Sequence, residues 1–413
     1  VSIAAKACRA CGAPLSVTMV DLGLQPPSNA FLPADAPLAG EKFYPLRAKV
    51  CDSCRLVQLD HDVDPRELFG NYVYFSSYSE DWLAHAQAYC AMARQRFALG
   101  IGSLVVELAS NDGYLLKNFI AAGIPVLGID PSDTVARAAE AAGVPTLVEF
   151  FGEAVARRLA VAGRMADLVI GNNVLAHVPA INDFVAGIAA ILKPTGTVTI
   201  EFPHLLQLIE HVEFDTIYHE HFSYLSLLAI ERLFARHGLR IHDVEELPTH
   251  GGSLRIYAMH AARTGIADSA ALLRVRAAEA AAGLADAAVY LRFGARAAAC
   301  RNSVREFLRD ARAAGRRVIG YGAAAKGNTL LNFCGAGPLD LACVADRNPH
   351  KQGKLLPGSR IPVISPEELL RLQPDYVLIL PWNLRSEIMR QLEPIRAWGG
   401  RFVTPVPEIQ IHA

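Results

Sequence analysis

The chain has 413 residues, 40 Lys and Arg against 41 Asp and Glu, and a formal net charge of −1. At roughly 100–200 residues per domain the length predicts two to four domains, and a 52% apolar composition supplies several cores and excludes a disordered chain. Near-neutrality excludes a nucleic-acid grip built on bulk positive charge. No apolar run is long enough to span a bilayer, and the first residues, VSIAAKACRACG, lack the apolar core of a secretory signal. The expected setting is therefore soluble and cytoplasmic, with no membrane partner.

Residues 1–65 read as a small zinc module. Of eight cysteines, four fall in two knuckles, Cys8-x-x-Cys11 and Cys51-x-x-Cys54. Each CxxC turn sets two thiolates on one side of a cation, and the second turn closes a tetrahedral site. With all four positions filled no activated water remains, so the Zn²⁺ is expected to be structural. Lys6, Arg9, Lys49 and Arg55 flank the knuckles and offset the thiolate charge. Cys90, Cys300, Cys334 and Cys343 are scattered and read as ordinary core or surface residues. The segment PPSNAFL (26–32) is a loop, and FYPLRAKVC (43–51) is a strand entering the second knuckle.

An aromatic cluster, NYVYFSSYSEDW (71–82), precedes a helix running to about Phe97. From 103 onward strands and helices alternate: SLVVELA, GYLLKNFIAAG, PVLGIDPS, TVARAAEAAG, ADLVIGNN, INDFVAGIAAILKPTG, TVTIEFP. This pattern predicts a doubly wound α/β domain over 66–262. An Ala/Arg-rich stretch at 266–315 reads as one or two bridging helices. A second, Rossmann-like α/β unit follows in 263–413, from RRVIGYGAAAKG through LACVADRNP to DYVLILPWN.

Two strand-to-helix turns carry ligand signals. The first, ELASNDG, is not the dinucleotide pattern GxGxxG. It resembles the first motif of class I S-adenosylmethionine (SAM) methyltransferases, with Ala109 and Asn111 where glycine is commoner. That resemblance makes Glu107, Ala109, Asn111, Asp112 and Gly113 the candidate cofactor turn. Asp130 closes the next strand, where a carboxylate accepts ribose hydroxyls; Asn172 and Asn173 close the third strand, ADLVIGNN, and join the set. The second turn, Gly320-x-Gly322-x-x-Ala325, fits GxGxx(G/A), with Asp346 after the following strand. Taken alone it points to NAD, and an NAD-dependent oxidoreductase of sugar nucleotides is the alternative function. A zinc-stapled carrier of sugar nucleotides is the non-enzymatic alternative.

The motifs CRACG…CDSC, ELASNDG, NNVLAH, IYHEHFSY, HGGSLR and GYGAAAKGN occur in an order that resembles the zinc-containing sugar C-methyltransferases, similar to the C-3′ methyltransferases of deoxysugar biosynthesis. The resemblance spans nearly the whole chain. It implies SAM as methyl donor and a nucleotide-linked 4-keto-6-deoxy sugar, usually dTDP-linked, as acceptor. It implies catalytic roles for Tyr218, Glu220 and His221, with His177 and an aromatic-loop tyrosine beside them. Tyr72 is the tyrosine aligned, with Tyr74 as its alternative. The C-terminal domain is implied to bind the nucleotide, with Gly322, Lys326 and Asn328 near the diphosphate. His250 and Arg255 of HGGSLR are expected beside the acceptor, and His219 either tunes substrate choice or faces solvent.

The chemistry agrees with these residue types. A sugar C3 hydrogen becomes acidic beside a C4 ketone, so carbon methylation calls for a base and a donor to the enolate oxygen. An imidazole with an ordinary pKa of ~6.5 suits the base, which points to His221. Tyr218 supplies the donor, and Glu220 holds a substrate hydroxyl or assists deprotonation. The sequence leaves oligomeric state open.

Overall fold

The computed structural model describes residues 3–4, 7–37, 39–69, 77 and 80–412. Its central sheet has seven strands in the order Leu239–Leu247, Ser253–His260, Leu192–Pro203, Ala166–Asn172, Val105–Leu108, Val126–Ile129, Thr146–Leu147. Numbered along the chain the order is 3-2-1-4-5-7-6, with Ser253–His260 running antiparallel to both neighbours. This is the class I methyltransferase topology. Strands VVEL and VLGI are buried along their whole length, as expected for parallel strands covered on both faces. The direction of strand addition reverses between Val105–Leu108 and Ala166–Asn172, which opens a crevice at their carboxyl ends.

The C-terminal sheet repeats the logic. Its order is Val363–Ile364, Val344–Ala345, Val318–Tyr321, Tyr376–Ile379, Arg401–Thr404, all parallel, closed by antiparallel Gln410–His412. Here the reversal falls between Val318–Tyr321 and Tyr376–Ile379. The residues that follow those strands, Gly322–Lys326 and Pro381–Asn383, therefore line a second crevice. The bridging stretch forms two helices, Ala270–Ala281 and Ala287–Ala313. Gly294 sits inside the longer one, where glycine costs helix stability. A Cβ there would lie 3.1 Å from the Met19 carbonyl oxygen, so the glycine permits close approach to the N-terminal module.

The N-terminal module is joined to the methyltransferase domain through a shared sheet. Its strands Val17–Gln25, Tyr44–Val50 and Val57–Leu59 are completed by Ser223–Tyr224, which pairs antiparallel with Val57–Leu59. The segment just after the second cysteine knuckle is thus hydrogen-bonded to the segment just after His221. Elsewhere the structure trims the sequence-based elements. The helix predicted through KPTG stops at Ile191, because Leu192 already pairs with Ala166. The helix expected in GYLLKNFIAAG is only Leu116–Ile120, flanked by turns.

Glu279 of the first bridging helix, 3% exposed, accepts hydrogen bonds from the backbone N–H groups of Leu227 (2.6 Å) and Leu228 (2.8 Å) and bonds His204 Nε2 at 2.7 Å. Its carboxylate meets the positive end of helix Leu227–Arg236, whose Ser226 cap accepts from Ala229. Glu279→Ala strands a buried imidazole and two helix-terminal donors. The expected loss is about 3–5 kcal/mol, read as a lower midpoint in denaturant unfolding; Glu279→Gln loses less.

Candidate active site

The cofactor turn departs from glycine in sequence but not in backbone. Ala109 (φ +56°), Asn111 (φ +50°) and Gly113 (φ +75°) all lie in the left-handed region, which costs a non-glycine residue energy unless the surroundings hold it there. At Gly113 a Cβ would sit 2.7 Å from a Val144 methyl, so no side chain fits. Both Asp130 oxygens accept backbone amides, Oδ2 from Asn111 at 3.0 Å and Oδ1 from Ser132 at 2.9 Å, tying the turn to the next strand. Asp112 Oδ2 accepts the Ser77 amide at 3.1 Å. Burial, with Asp130 and Asp112 nearby, pushes the Glu107 carboxyl well above its ordinary range. Glu107 Oε2, Asp112 Oδ1 and Asn172 Oδ1 are buried without a hydrogen-bond partner. Two crowded carboxyl groups and one amide oxygen with unused acceptors suit a ligand carrying positive charge and hydroxyls. SAM has both.

At the mouth of this crevice four of the predicted catalytic residues converge. His221 Nδ1 lies 3.0 Å from the Thr216 carbonyl oxygen and Nε2 lies 2.9 Å from the Tyr218 hydroxyl. A carbonyl oxygen only accepts, so Nδ1 carries the proton and Nε2 accepts from Tyr218. His177 Nδ1 likewise donates to the Glu220 carbonyl at 2.7 Å, and its ring meets His221 edge-on at 4.7 Å between centroids. Burial, the neighbouring His177 and the Lys326 cation hold His221 well below the usual histidine range, and burial lowers His177 to about 4. Both imidazoles are neutral at pH 7. Burial raises the Glu220 carboxyl; its Oε1 accepts from Asn29 Nδ2 at 3.0 Å, while Oε2 is buried and unpartnered.

His250 stands nearby, its Nε2 3.2 Å from Asn173 Nδ2 and its ring 5.5 Å from Trp82. Asn173 itself is left-handed (φ +52°). His219 does not face solvent. It is fully buried, edge-on to Tyr44 of the N-terminal module at 5.9 Å, and burial lowers it to about 4. Tyr72 and Tyr74 lie outside the described residues.

The expected acceptor contacts are distributed differently. Arg255 is 2% exposed and engaged inside the sheet with Glu201 (2.7 Å), Glu245 (2.8 Å) and the Tyr89 ring (4.6 Å). Its guanidinium is held within the sheet. Asn328 donates to the Ser28 carbonyl at 2.5 Å, holding the PPSNAFL loop. Gly322 (φ +88°) is packed against Pro381, where a Cβ would clash. Lys326 lies 2.8 Å from Asn383 Oδ1 and 4.5 Å from the Trp382 ring centroid, within the field of Asp215 and Glu213. In the turn that resembles an NAD site, Asp346 Oδ2 accepts the Ala323 amide at 2.7 Å and Lys351 Nζ donates to the Ala323 carbonyl at 2.8 Å.

Several partners lie outside the sequence motifs. Glu201, at zero exposure in the strand TVTIEF, collects Arg255, His85 Nε2 (3.0 Å) and Thr249 Oγ1 (3.1 Å). Despite burial, His85 and Arg255 hold its carboxyl below the ordinary range. A lone acid in an apolar strand was the available signal. Asn29, Asp215 and Trp382 carried none, since their roles depend on contacts between distant segments.

The cysteine knuckles close as predicted. All four sulfurs lie within 4.8 Å of one another, with Cys8–Cys54 at 3.5 Å and Cys11–Cys51 at 3.3 Å. Zn–S bonds of ~2.3 Å in a tetrahedron place sulfurs ~3.8 Å apart, so the donor set fits Zn²⁺. The Cys51 sulfur also receives the amides of Ser53 and Cys54 at 3.4 and 3.3 Å. The other four cysteines are buried, and burial raises each thiol. They are core residues.

Family models match three consecutive parts of the chain: a zinc binding domain at residues 8–69, a methyltransferase domain at 82–244 and a C-methyltransferase C-terminal domain at 248–407. Fold and site thus define a SAM-dependent methyltransferase with a structural zinc module. C-methyltransferase NovU of Streptomyces niveus is 38% identical over 409 residues, 98% of this chain and 96% of that protein. The chain belongs to this C-methyltransferase family, which displaces the oxidoreductase and carrier alternatives. Among solved structures, magnesium protoporphyrin IX methyltransferase (ChlM) of Synechocystis PCC 6803 with bound SAH is 18% identical, covering 43% of this chain and 83% of that one at a TM-score of 0.35. The PH0226 protein of Pyrococcus horikoshii OT3 is 16% identical, covering 47% and 98% at 0.39.

The four-sulfur set predicts one zinc per chain by elemental analysis. Cys51→Ser should lose most of that zinc and lower the melting temperature; unchanged zinc and melting would refute the site.

Proposed function

We propose that this C-methyltransferase transfers the SAM methyl group to the carbon alpha to the ketone, C3, of a nucleotide-linked 4-keto-6-deoxy sugar, dTDP-linked by resemblance. The observation that carries this reading is the neutral His221–Tyr218 pair at the mouth of the cofactor crevice. A carbon acceptor needs a base beside it, and a buried neutral imidazole with a phenol on its free nitrogen supplies base and acid together. The SAM sulfonium supplies an electrophilic methyl when bound.

The residues divide the work. Glu107, Asp112, Asn172 and Asn173 would hold SAM, with the first two offering negative charge to its cationic part, and Asp130 would offer its remaining lone pairs to the ribose hydroxyls. Ala109, Asn111 and Gly113 let the turn approach closely. His221 Nε2 takes the C3 proton. For that the Tyr218 hydroxyl turns from Nε2 to the ketone oxygen, where it donates to the developing enolate. The Thr216 carbonyl, bonded to Nδ1–H, stabilises the imidazolium that results. Glu220 Oε2 is the acceptor for a sugar hydroxyl, and His177, His250 and a tyrosine at 72 or 74 complete the walls. In this reading 1–65 is the zinc module, 66–262 holds the chemistry, and 263–413 grips the nucleotide.

Incubating the protein with SAM and a panel of nucleotide ketosugars should add one methyl mass to a 4-keto-6-deoxy substrate; failure across the panel would overturn the substrate class. His221→Asn should cut turnover by at least about 10²-fold while leaving SAM affinity unchanged. Near-normal turnover would remove His221 as the base. The lowered His221 pKa also fixes the pH profile. The base form is lost only when pH falls through the folded-state value, so the acidic limb of kcat/KM should lie clearly below ~6.5. A limb at or above that value would contradict a desolvated base.

A further inference from the structure

The carbonyl that aims His221 belongs to a short helical turn, Phe214–Thr216, that the methyltransferase domain does not hold by itself. Asp215, at zero exposure, accepts the Trp382 indole N–H at 2.8 Å through Oδ2. Thr329 Oγ1 donates to the Ile217 carbonyl at 3.2 Å. The two residues that flank Thr216 in sequence are therefore each anchored by a side chain of the C-terminal domain. Trp382 is in turn placed by Lys326, whose ammonium lies 4.5 Å from its ring centroid and bonds Asn383 at 2.8 Å.

The placement is not a generic packing contact. Trp382, Asn383 and Lys326 follow the two strands between which the C-terminal sheet reverses. The residue they reach is next to the one that orients the base at the mouth of the other crevice. A carboxylate buried this deeply is costly without a partner. Burial raises Asp215 to about 6 while Lys326 and the Trp382 N–H pull it down. Its other oxygen, Oδ1, is unpartnered. A hydrophobic residue at 215 would pack the same interface without that cost, so the acid is explained by the orientation it enforces.

We propose that Trp382 and Thr329 are positioning residues for the methyl-transfer base: together they lock the 215–217 backbone so that the Thr216 carbonyl selects the Nδ1–H tautomer of His221 and points Nε2 into the acceptor space. The proposal rests on the reading of His221 as the base, and its test separates the two.

Trp382→Phe keeps an aromatic ring under Lys326 and removes the donor together with part of the indole surface that packs at Gly251. With ¹⁵N-histidine labelling and no acceptor present, the His221 ring, identified by the signal missing in His221→Asn, should show Nδ1–H alone in the parent protein. In Trp382→Phe it should show a mixture of tautomers. In turnover, kcat should fall about 10–100-fold, as for outer partners of orienting groups, with acceptor KM within about twofold. Thr329→Val should act in the same direction and Thr329→Ser should restore both readouts, which keeps the test intact if the tryptophan variant does not fold. Parent-like tautomer and kcat in both Trp382→Phe and Thr329→Val would overturn the proposal, as would a loss confined to KM. Full turnover in His221→Asn would overturn the base assignment instead, because the tautomer is read without substrate.

Discussion

An imidazole works as a base inside a protein only if it is kept neutral and kept pointed. Burial meets the first demand for His221, read as the base, and the Lys326 cation also opposes a proton there. One hydrogen bond meets the second. With Nδ1–H committed to the Thr216 carbonyl, the single basic lone pair left is Nε2, and the Tyr218 hydroxyl already rests on it. The remaining architecture can be understood as the means of holding that carbonyl, that phenol and that ring against one another.

The segment 213–224 does so by lying at a junction of three domains. On one side, Val57–Leu59, just past the cysteine knuckle, pairs with Ser223–Tyr224, and Leu59 donates to the Phe222 carbonyl at 3.1 Å. Arg9, between two cysteines, reaches Asp62 at 2.8 Å and the Phe222 ring at 5.5 Å. The zinc module thereby packs directly against the segment that carries His221. On the opposite side stand Trp382 and Thr329. Asn29 and Ser28 complete the enclosure, joining Glu220 to the helix Ala325–Cys334 through the Ser28 carbonyl and Asn328. The carboxyl ends of the two α/β sheets are thus joined through one segment, 213–224.

What the sequence revealed follows the range of the interactions involved. The knuckles, the parallel strands and the Tyr-x-Glu-His cluster are local patterns, and the structure places them together at short range. At the turn ELASNDG, Ala109 and Asn111 adopt the left-handed backbone that glycine would favour, so the departure from the glycine pattern changes the residues and not the turn. Arg255 was expected beside the acceptor from its place in HGGSLR; its engagement with Glu201 and Glu245 depends on strand register, which the motif does not encode. The Val57–Leu59 pairing with Ser223–Tyr224 and the Trp382–Asp215 bond join residues more than a hundred positions apart. No periodicity or motif encodes such contacts. Lys326 is placed near a diphosphate by the family resemblance alone; its partners in the fold, Trp382 and Asn383 with Asp215 and Glu213 nearby, carry no sequence signal.

The account turns on proton removal from carbon by one imidazole, and that step can be observed without methyl transfer. In D₂O, with S-adenosylhomocysteine in place of SAM, the protein should exchange the C3 hydrogen of a nucleotide-linked 4-keto-6-deoxy sugar for deuterium, followed by proton NMR of the sugar. Exchange catalysed by the parent protein and abolished by His221→Asn is the predicted result. Exchange that continues at the parent rate in His221→Asn would contradict it.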